Sequence, residues 1–302
     1  MDPAVFSEII GHETACRVLA QALDAGRLSH AYLVVGPDGV GKRTLARALI
    51  RAFVGGPIDA HPDVVSVRRL DDEKTGKTKT AISVEQMRDV AERLAMSALS
   101  GKKAVLVEEA DRLQAAAGNA LLKTLEEPRG DALIVLCALN PESVLATIAS
   151  RCQIIRLHPV PQARMEQALK EAGCGAREAA QLSALAGGAP GKALALLRDS
   201  DVRAMAETAL GALERASHAS VAQRLQTAAA LLPKEEGNKM AHLEKLFDLW
   251  EMRLHQWLTE HLARGEPVDR YARALSTLSD TRTHARRNVH TQLALERVLL
   301  SL

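Results

Sequence analysis

The sequence has few of the features that mark a membrane protein or a secreted protein. No run of about 18 apolar residues occurs, and the N-terminus lacks the apolar stretch of a signal peptide, which predicts a soluble, cytoplasmic protein. Only 2% of the 302 residues are aromatic, so we expect cores built mostly from Leu, Ala, Val and Ile. The formal net charge of +2 gives no strongly basic field that would favour nucleic acid as a dominant partner.

Cysteines are few and scattered. None of them forms a C-x-x-C pair, and tetrahedral zinc needs about four converging ligands, so we expect neither a zinc site nor a disulfide framework. Cys152 stands next to a candidate strand and is expected to be a small buried apolar residue. The four cysteines are Cys16, Cys137, Cys152 and Cys174.

A glycine-rich segment matches a phosphate-binding loop up to its last position. The full pattern has Ser or Thr directly after the lysine, because that hydroxyl holds Mg²⁺, but here the position is Arg43. Thr44 comes one residue late, and one helical residue is a rotation of about 100°, so its hydroxyl is expected to face away from a metal. The loop residues that would form a nucleotide site, together with the displaced threonine, are Gly36, Gly39, Gly41, Lys42 and Thr44.

The segments on either side of this loop match the motif, which requires a strand before the loop and a helix after it. An apolar run at Ala31–Val35 predicts a strand before it, and Leu45, Leu49 and Phe53 follow at helical spacing. A helix that begins near Gly41 has free N–H groups that can hold an anion. The alternative is a glycine-rich strand-to-helix turn that binds nothing.

A second motif is an apolar strand that ends in two carboxylates. Residues 104–107 (AVLV) precede Glu108 and Glu109. In P-loop ATPases such a strand carries an Asp that holds Mg²⁺, followed in many by a Glu that polarises the attacking water. Glu108 takes the metal position with one extra methylene, and Glu109 takes the water-activating position. An exposed acidic strand end is the alternative.

Strand and helix patterns alternate up to about residue 158, and only helical patterns follow. Continuous apolar strands between helices predict a parallel sheet covered on both faces, so the fold class is α/β plus all-α. In the C-terminal third, apolar residues recur every three to four positions, and Trp250 and Trp257 in this stripe are expected to be core residues. The predicted strands are residues 31–35, 64–67, 104–107, 133–138 and 153–157.

Several segments, in order, resemble one known family. They are FSEIIG at residues 6–11, SHAYLVVGPDGVGK, VLVEEADRL, NALLKTLEEP, the SRC triplet at residues 150–152, and NVHTQLALERVLL near the C-terminus. Together they resemble the bacterial clamp-loader subunits of the AAA+ class, and among these the delta-prime subunits of DNA polymerase III. The resemblance runs through most of residues 5–200 and recurs at the C-terminus.

The resemblance implies a three-domain chain and a role in DNA replication. Residues 1–158 would form an AAA+ P-loop αβ domain, residues 159–201 a helical lid, and residues 202–302 a helical collar for hetero-oligomer assembly. In this family, subunits form an open ring that opens the sliding clamp and places it on primed DNA. The implied partners are the gamma/tau and delta subunits and, through the complex, the clamp and primer-template DNA, without a membrane.

The resemblance also implies a specific role for Arg151 of the SRC triplet. Delta-prime subunits are described as non-hydrolysing members that use this arginine, in trans, to complete the ATP site of a neighbouring gamma or tau subunit. Without the resemblance, a lone arginine before a strand would be interpreted as a solvated or ion-paired residue.

Three departures from the motor pattern support a site without hydrolysis. Arg43 replaces the Mg²⁺ hydroxyl, Ala138 and Leu139 stand where motor subunits carry threonines, and the lid arginine of motor subunits falls at Gly191, beside Lys192. The sequence leaves open whether ATP or ADP binds without turnover. A four-cysteine zinc module that many members carry would fall in residues 51–61, which contain no cysteine.

Two alternatives belong to other functional classes. An active clamp-loader ATPase of the gamma/tau type would need Ser or Thr at Arg43. A non-replicative P-loop enzyme such as a nucleotide kinase would predict neither the SRC triplet nor the all-helical C-terminal third. ATP turnover by the isolated chain discriminates between stator and motor.

Overall fold

The computed structural model describes residues 3–72, 78–128, 130–232, 239–285 and 290–302. The first two residues of the C-terminal NVHTQLALERVLL motif, 288 and 289, lie outside the described residues. The chain divides into two compact units, one made of Met1–Ala179 with Gly188–Lys192 and the other of Ala180–Gly187 with Ala193–Leu302. The division into three domains at residues 158 and 201 stays a prediction.

The first unit is built on a five-stranded parallel sheet in the order β2-β3-β4-β1-β5. The predicted parallel sheet is therefore confirmed, and each predicted strand is present with ends that differ by no more than two residues. The strands are β1 (Ala31–Val35), β2 (Val64–Val67), β3 (Lys102–Val107), β4 (Asp131–Ala138) and β5 (Gln153–Arg156).

Helices cover both faces of this sheet, because alternate strand residues point to opposite faces. Leu33 packs with the helices on one face, whose core includes Leu121, and Tyr32 packs with α2 on the other, where Leu45 and Leu49 are buried. The helices up to residue 198 are α1 (Glu13–Asp24), α2 (Lys42–Val54), α3 (Val84–Ala95), α4 (Ala115–Glu126), α5 (Ala146–Ala149), α6 (Gln162–Glu171), α7 (Ala176–Ala186) and α8 (Pro190–Arg198).

Helix α3 begins as the sequence predicts but ends earlier. The Ser83 side chain accepts a hydrogen bond from the Gln86 amide, and the Gln86 side chain caps Ser83 in return, which completes a capping box. In the sequence, Ser83 with Gln86 forms a capping-box pattern that predicts a helix over residues 84–99, but the helix ends at Ala95. The buried Lys103 ammonium explains the end, because it donates to the carbonyl oxygens of Leu94 and Met96.

The second unit is helical. Trp250 is fully buried there and its indole N–H donates to the Ala209 carbonyl oxygen over 2.9 Å, so its prediction as a core residue is confirmed. Trp257 is partly buried against the same core and lies 5.6 Å from Tyr271, ring centre to ring centre. The helices are α9 (Ser200–Ser217), α10 (Val221–Ala230), α11 (Lys239–Ala263), α12 (Asp269–Ala285) and α13 (Thr291–Leu300).

None of the helices in the described part of the chain has both the length and the apolar character needed to cross a membrane.

Candidate functional site

The glycine-rich loop leaves the sheet at the carboxyl end of β1 and leads directly into α2. The Gly36 amide donates to the carbonyl oxygens of Ala138 and Leu139, 3.3 and 3.1 Å away, which ties the loop to the end of β4. Only glycine fits at position 36, because a Cβ there would lie 2.4 Å from the Leu157 carbonyl oxygen. Helix α2 begins at Lys42 after Gly41, as the motif predicts, so its first amides face the loop.

Residues 188–192 lie against this loop within the same compact unit. The Gly191 amide donates to the Gly39 carbonyl oxygen over 2.8 Å. A Cβ on Gly191 would lie 3.1 Å from that oxygen, and a Cβ on Gly39 would lie 3.0 Å from Lys192 Cγ. On the other side, a ring N–H of His12 donates to the Val40 carbonyl oxygen over 3.0 Å. Contacts from the backbone of Gly191 and from the side chains of His12 and Lys192 therefore surround the turn of the loop.

The loop lysine is turned back onto the loop itself. Lys42 Nζ lies 2.6 Å from the Gly36 carbonyl oxygen, 3.0 Å from that of Pro37 and 3.4 Å from Asp38 Oδ1. An ammonium has three N–H donors, so these three acceptors use its full capacity. A phosphate at the loop would have to compete with them for Lys42.

Arg43 forms an ion pair with the carboxylate at the metal position. Its Nη1 lies 3.2 Å from Glu108 Oε2, and the Glu108 side chain is only 14% exposed. A divalent cation at Glu108 would have to displace this guanidinium, so these residues do not fit Mg²⁺ in the arrangement observed. Thr44 is exposed and lines, with Arg43 and Glu108, a cavity of about 740 Å³. The role of Thr44 stays a prediction.

The second carboxylate is held by an arginine that sequence reasoning missed. Arg69 Nε and Nη2 each lie 2.8 Å from an oxygen of Glu109, which is the strong two-pronged arrangement of a guanidinium and a carboxylate. This hydrogen bonding is the main cause that lowers the pKa of Glu109, and it raises the pKa of Arg69. Arg69 follows β2, the neighbour of β3, and because the local sequence pattern does not give this strand order, no sequence signal marked the contact.

The cysteines lie on separate elements, as the sequence suggests. Burial raises the pKa of the Cys137 thiol and that of the Cys152 thiol to about 12. Cys152 is half-buried against the sheet core rather than fully buried. Within the described residues, no group of three or more His, Cys, Asp and Glu side chains is placed to hold a metal ion.

Arg151 lies apart from the loop. The loop lies at the carboxyl ends of the parallel strands, here called the loop edge of the sheet, and Arg151 lies at their amino ends, here called the opposite edge. It precedes β5, whereas the loop follows the carboxyl end of the parallel neighbour β1. The five residues of β1 separate the two edges by roughly 16 Å at the usual rise per strand residue. Arg151 Nη2 lies 2.5 Å from Glu126 Oε1, and Nη1 donates to the Thr147 carbonyl oxygen over 2.9 Å. The structure thus brings the loop and the two carboxylates Glu108 and Glu109 together, but not Arg151.

Comparisons with known proteins agree on one family. The family model described as DNA polymerase III, delta subunit, matches residues 11–161. Over 185 residues the chain is 36% identical to the DNA polymerase III subunit delta' of Pseudomonas aeruginosa, covering 54% of each protein. Over 166 residues it is 34% identical to the subunit gamma/tau of Mycobacterium tuberculosis, covering 49% of this chain and 28% of that protein.

One solved structure covers nearly the whole chain. The gamma subunit-related protein of Thermotoga maritima aligns with 93% of this chain and 97% of its own length, with a TM-score of 0.50 and 22% identity. At this identity the match shows a shared fold and nothing finer. The curated relatives, by contrast, are matched over about half of their length or less.

Proposed function

The chain belongs to the family described as DNA polymerase III, delta subunit, and from this premise we propose that it is a clamp-loader subunit that does not itself hydrolyse ATP. Its proposed partners are the gamma/tau and delta subunits. Through the assembled complex it would take part in loading the sliding clamp onto primer-template DNA. The proposed role is that of a stator, which supplies fixed contacts to moving neighbours.

The ion pair between Arg43 and Glu108 is the observation that carries this proposal. Hydrolysis in P-loop ATPases depends on a metal held by a loop hydroxyl and a strand carboxylate. Here the hydroxyl is replaced by a guanidinium, and that guanidinium lies 3.2 Å from the carboxylate. The cation needed for the phosphates is thus replaced by a cation of the chain itself.

Two further contacts support the same proposal. Glu109, at the water-activating position, accepts one hydrogen bond from Arg69 on each carboxylate oxygen, and the lowered pKa that results makes it a weaker base toward a water molecule. Lys42 is engaged by loop oxygens, and Gly191 donates to the Gly39 carbonyl oxygen where a motor subunit would have an arginine side chain. An anion could still bind the first amides of α2, because those N–H groups do not depend on the lost side chains.

The position of Arg151 supports a role in trans. An arginine side chain cannot span the roughly 16 Å from its edge of the sheet to the loop of its own chain. Its side chain is 36% exposed, so it is accessible to a neighbouring subunit. A guanidinium is always charged and fits phosphate oxygens with a planar fork, which suits it to a neighbour's γ-phosphate.

The similarity to gamma/tau subunits supports an alternative, an active gamma/tau-like ATPase. The identity of 34% to the mycobacterial gamma/tau subunit is close to the 36% to the delta' subunit. ATP turnover by the purified chain separates the two functions. The stator proposal expects a rate at background. A rate well above background that is abolished by Lys42→Ala would establish the motor instead.

Zinc is not part of the proposed function. The four cysteines lie on separate elements, and none of them is in residues 51–61. Elemental analysis of the purified protein should find no stoichiometric zinc, and one zinc per chain would contradict this proposal.

A further inference from the structure

Glu126, the last residue of α4, contacts the guanidinium of Arg151. Its Oε1 lies 2.5 Å from Arg151 Nη2, and the two residues are 25 positions apart in the sequence. The Thr147 carbonyl oxygen in α5 accepts a second hydrogen bond from Nη1 over 2.9 Å. Two separate helices therefore fix the end of a long side chain that would otherwise sample many rotamers.

Fixing this guanidinium in the free chain favours any reaction in which it must meet a phosphate. A displacement of about 1 Å of a group that positions or stabilises the reacting atoms can cost about 10²-fold in rate. A side chain that is already held does not lose that freedom when the neighbouring subunit arrives. The contact thus prepares Arg151 before assembly.

The contact with Glu126 does not use all of the donors of Arg151. A guanidinium has five N–H donors in a planar fork, and the contacts with Glu126, the Thr147 carbonyl oxygen and Ser150 Oγ, which lies 3.4 Å from Nη1, use one each. Two donors remain, which is the number that two parallel hydrogen bonds to phosphate oxygens need. Glu126 is 49% exposed, so solvent screens its charge and weakens its competition with a phosphate for Arg151.

We infer that Glu126 is a positioning residue that orients Arg151 for the ATP site of a neighbouring subunit. The inference rests on the proposed function, because it needs Arg151 to act in trans. It extends that function to a second residue, which touches neither nucleotide nor neighbour and acts only through Arg151.

The alternative role for the same contact is inhibitory, with Glu126 blocking Arg151 from a phosphate. If the carboxylate had to leave Arg151 before a phosphate could bind, then removal of Glu126 would raise the ATPase rate of the complex. The positioning role requires a fall instead. The direction of the change therefore separates the two.

The test uses the complex reconstituted from this chain with its gamma/tau and delta partners. The measured quantity is the Arg151-dependent ATPase rate on primed DNA, defined as the wild-type rate minus the rate with Arg151→Ala. Glu126→Ala should lower kcat of the Arg151-dependent ATPase by about three- to tenfold and leave KM for ATP unchanged. Glu126→Gln keeps an acceptor oxygen of the same shape and should recover most of the rate.

Glu127→Gln is the matched control, because it removes the same charge from the adjacent exposed residue. It should leave the Arg151-dependent rate unchanged. In the isolated chain, NMR of the arginine side chains should show restricted rotation of the Arg151 guanidinium that is lost in Glu126→Ala and kept in Glu127→Gln. Thermal unfolding of each variant checks that the fold is intact.

Three outcomes decide the matter. A kcat that falls in Glu126→Ala and recovers in Glu126→Gln supports the positioning role. A kcat equal to or above the wild-type value in Glu126→Ala overturns it while the proposed function stands. No difference between wild type and Arg151→Ala overturns the proposed function, and the role of Glu126 falls with it.

Discussion

In the first unit, the arginines at the carboxyl ends of the strands (the loop edge) and at their amino ends (the opposite edge) have different kinds of partner. At the loop edge, Arg43 and Arg69 are paired with Glu108 and Glu109, the two carboxylates that an ATPase would use. At the other edge, Arg151 is paired with the half-exposed Glu126, the first glutamate of the NALLKTLEEP segment. The same residue type therefore pairs with carboxylates of the candidate nucleotide site at one edge and with an exposed carboxylate at the other.

This difference bears on which of these arginines can respond to an external ion or phosphate. At the loop edge, Arg43 and Arg69 neutralise Glu108 and Glu109 within the chain, so an external cation would have to compete with them for the carboxylates. The pair at the other edge is exposed, and exposed ion pairs contribute only about 0–1 kcal/mol, so a phosphate can compete for Arg151. Each prediction below changes one edge and leaves the other unaltered.

The largest expected effect comes from Arg151→Ala in the reconstituted complex. Arginine fingers can be worth about 10³–10⁵ in rate at the site they complete, but the fall in total rate should be smaller because other sites remain. Folding and assembly should be unchanged, whereas DNA-stimulated ATPase and clamp loading should fall. Arg151→Lys should restore little, because an ammonium lacks the planar fork.

The control for this experiment is Arg177→Ala, which removes an exposed arginine of α7. Clamp loading on primed DNA measures both variants. Full activity with Arg151→Ala would mean that this residue is an ordinary surface arginine.

The next effect concerns Arg43 at the loop edge. Arg43→Thr removes the guanidinium from Glu108 and returns a hydroxyl to the position after the loop lysine. We expect the isolated chain to gain nucleotide binding that depends on Mg²⁺ and is lost with a chelator, by at least about tenfold in affinity. Turnover should stay at background, because Ala138, Leu139 and Gly191 are unchanged.

Arg47→Thr provides the matched control, because Arg47 lies one turn further along α2 and pairs with Asp59 instead. Calorimetric titration with ATP, with and without Mg²⁺, compares the two variants. Equal nucleotide affinity in Arg43→Thr and Arg47→Thr would mean that the ion pair to Glu108 does not oppose the metal.

A smaller effect is expected at the contact between the loop and residues 188–192. Gly39 has φ of 78° and a Cβ there would meet Lys192 Cγ at 3.0 Å, whereas Gly26 has φ of 62° with open space around it. Both Gly→Ala changes place alanine in left-handed backbone, which costs about 1–2 kcal/mol. Gly39→Ala should cost about 1 kcal/mol more for the close contact. Urea unfolding measures both, and equal losses would argue against a tight contact.

The smallest effect is the pH dependence that Arg69 confers on Glu109. The pKa of Glu109 is lowered in the folded chain, so its contribution to stability is present above about pH 4.5, near the usual value, and is lost as the pH falls through the folded pKa. Arg69→Met should remove this contribution and make unfolding less dependent on pH in the acid range. The change should be under about 1 kcal/mol, because the pair is partly exposed. Urea unfolding between pH 3 and 7 measures it, and an unchanged slope would contradict the assignment.

The sequence predicts the sheet and the loop because both depend on local patterns. Apolar runs mark all five strands, and glycine spacing marks the turn before Lys42. The resemblance to delta-prime subunits of DNA polymerase III is confirmed by the family match and by the relative that is 36% identical. The role of Arg151 in trans was carried over from that resemblance and stays a proposal.

Contacts between elements distant in the chain could not be predicted in the same way. Arg69 meets Glu109 across 40 positions and Arg151 meets Glu126 across 25, and no periodicity records such pairs. The early end of α3 is similar, since it depends on Lys103 reaching back to its last carbonyl groups. These pairs arise from strand order and helix packing, which the local pattern leaves undetermined.

The contact between Gly39 and Gly191 limits which side chains position 191 can accept. A Cβ there would lie 3.1 Å from the Gly39 carbonyl oxygen, so the neighbouring backbone would have to give by a few tenths of an ångström. Arg43, by contrast, is exposed, so a hydroxyl can be placed at that position by replacing the side chain alone. The two positions therefore make unequal demands on the main chain when the phosphate-binding pattern is rebuilt.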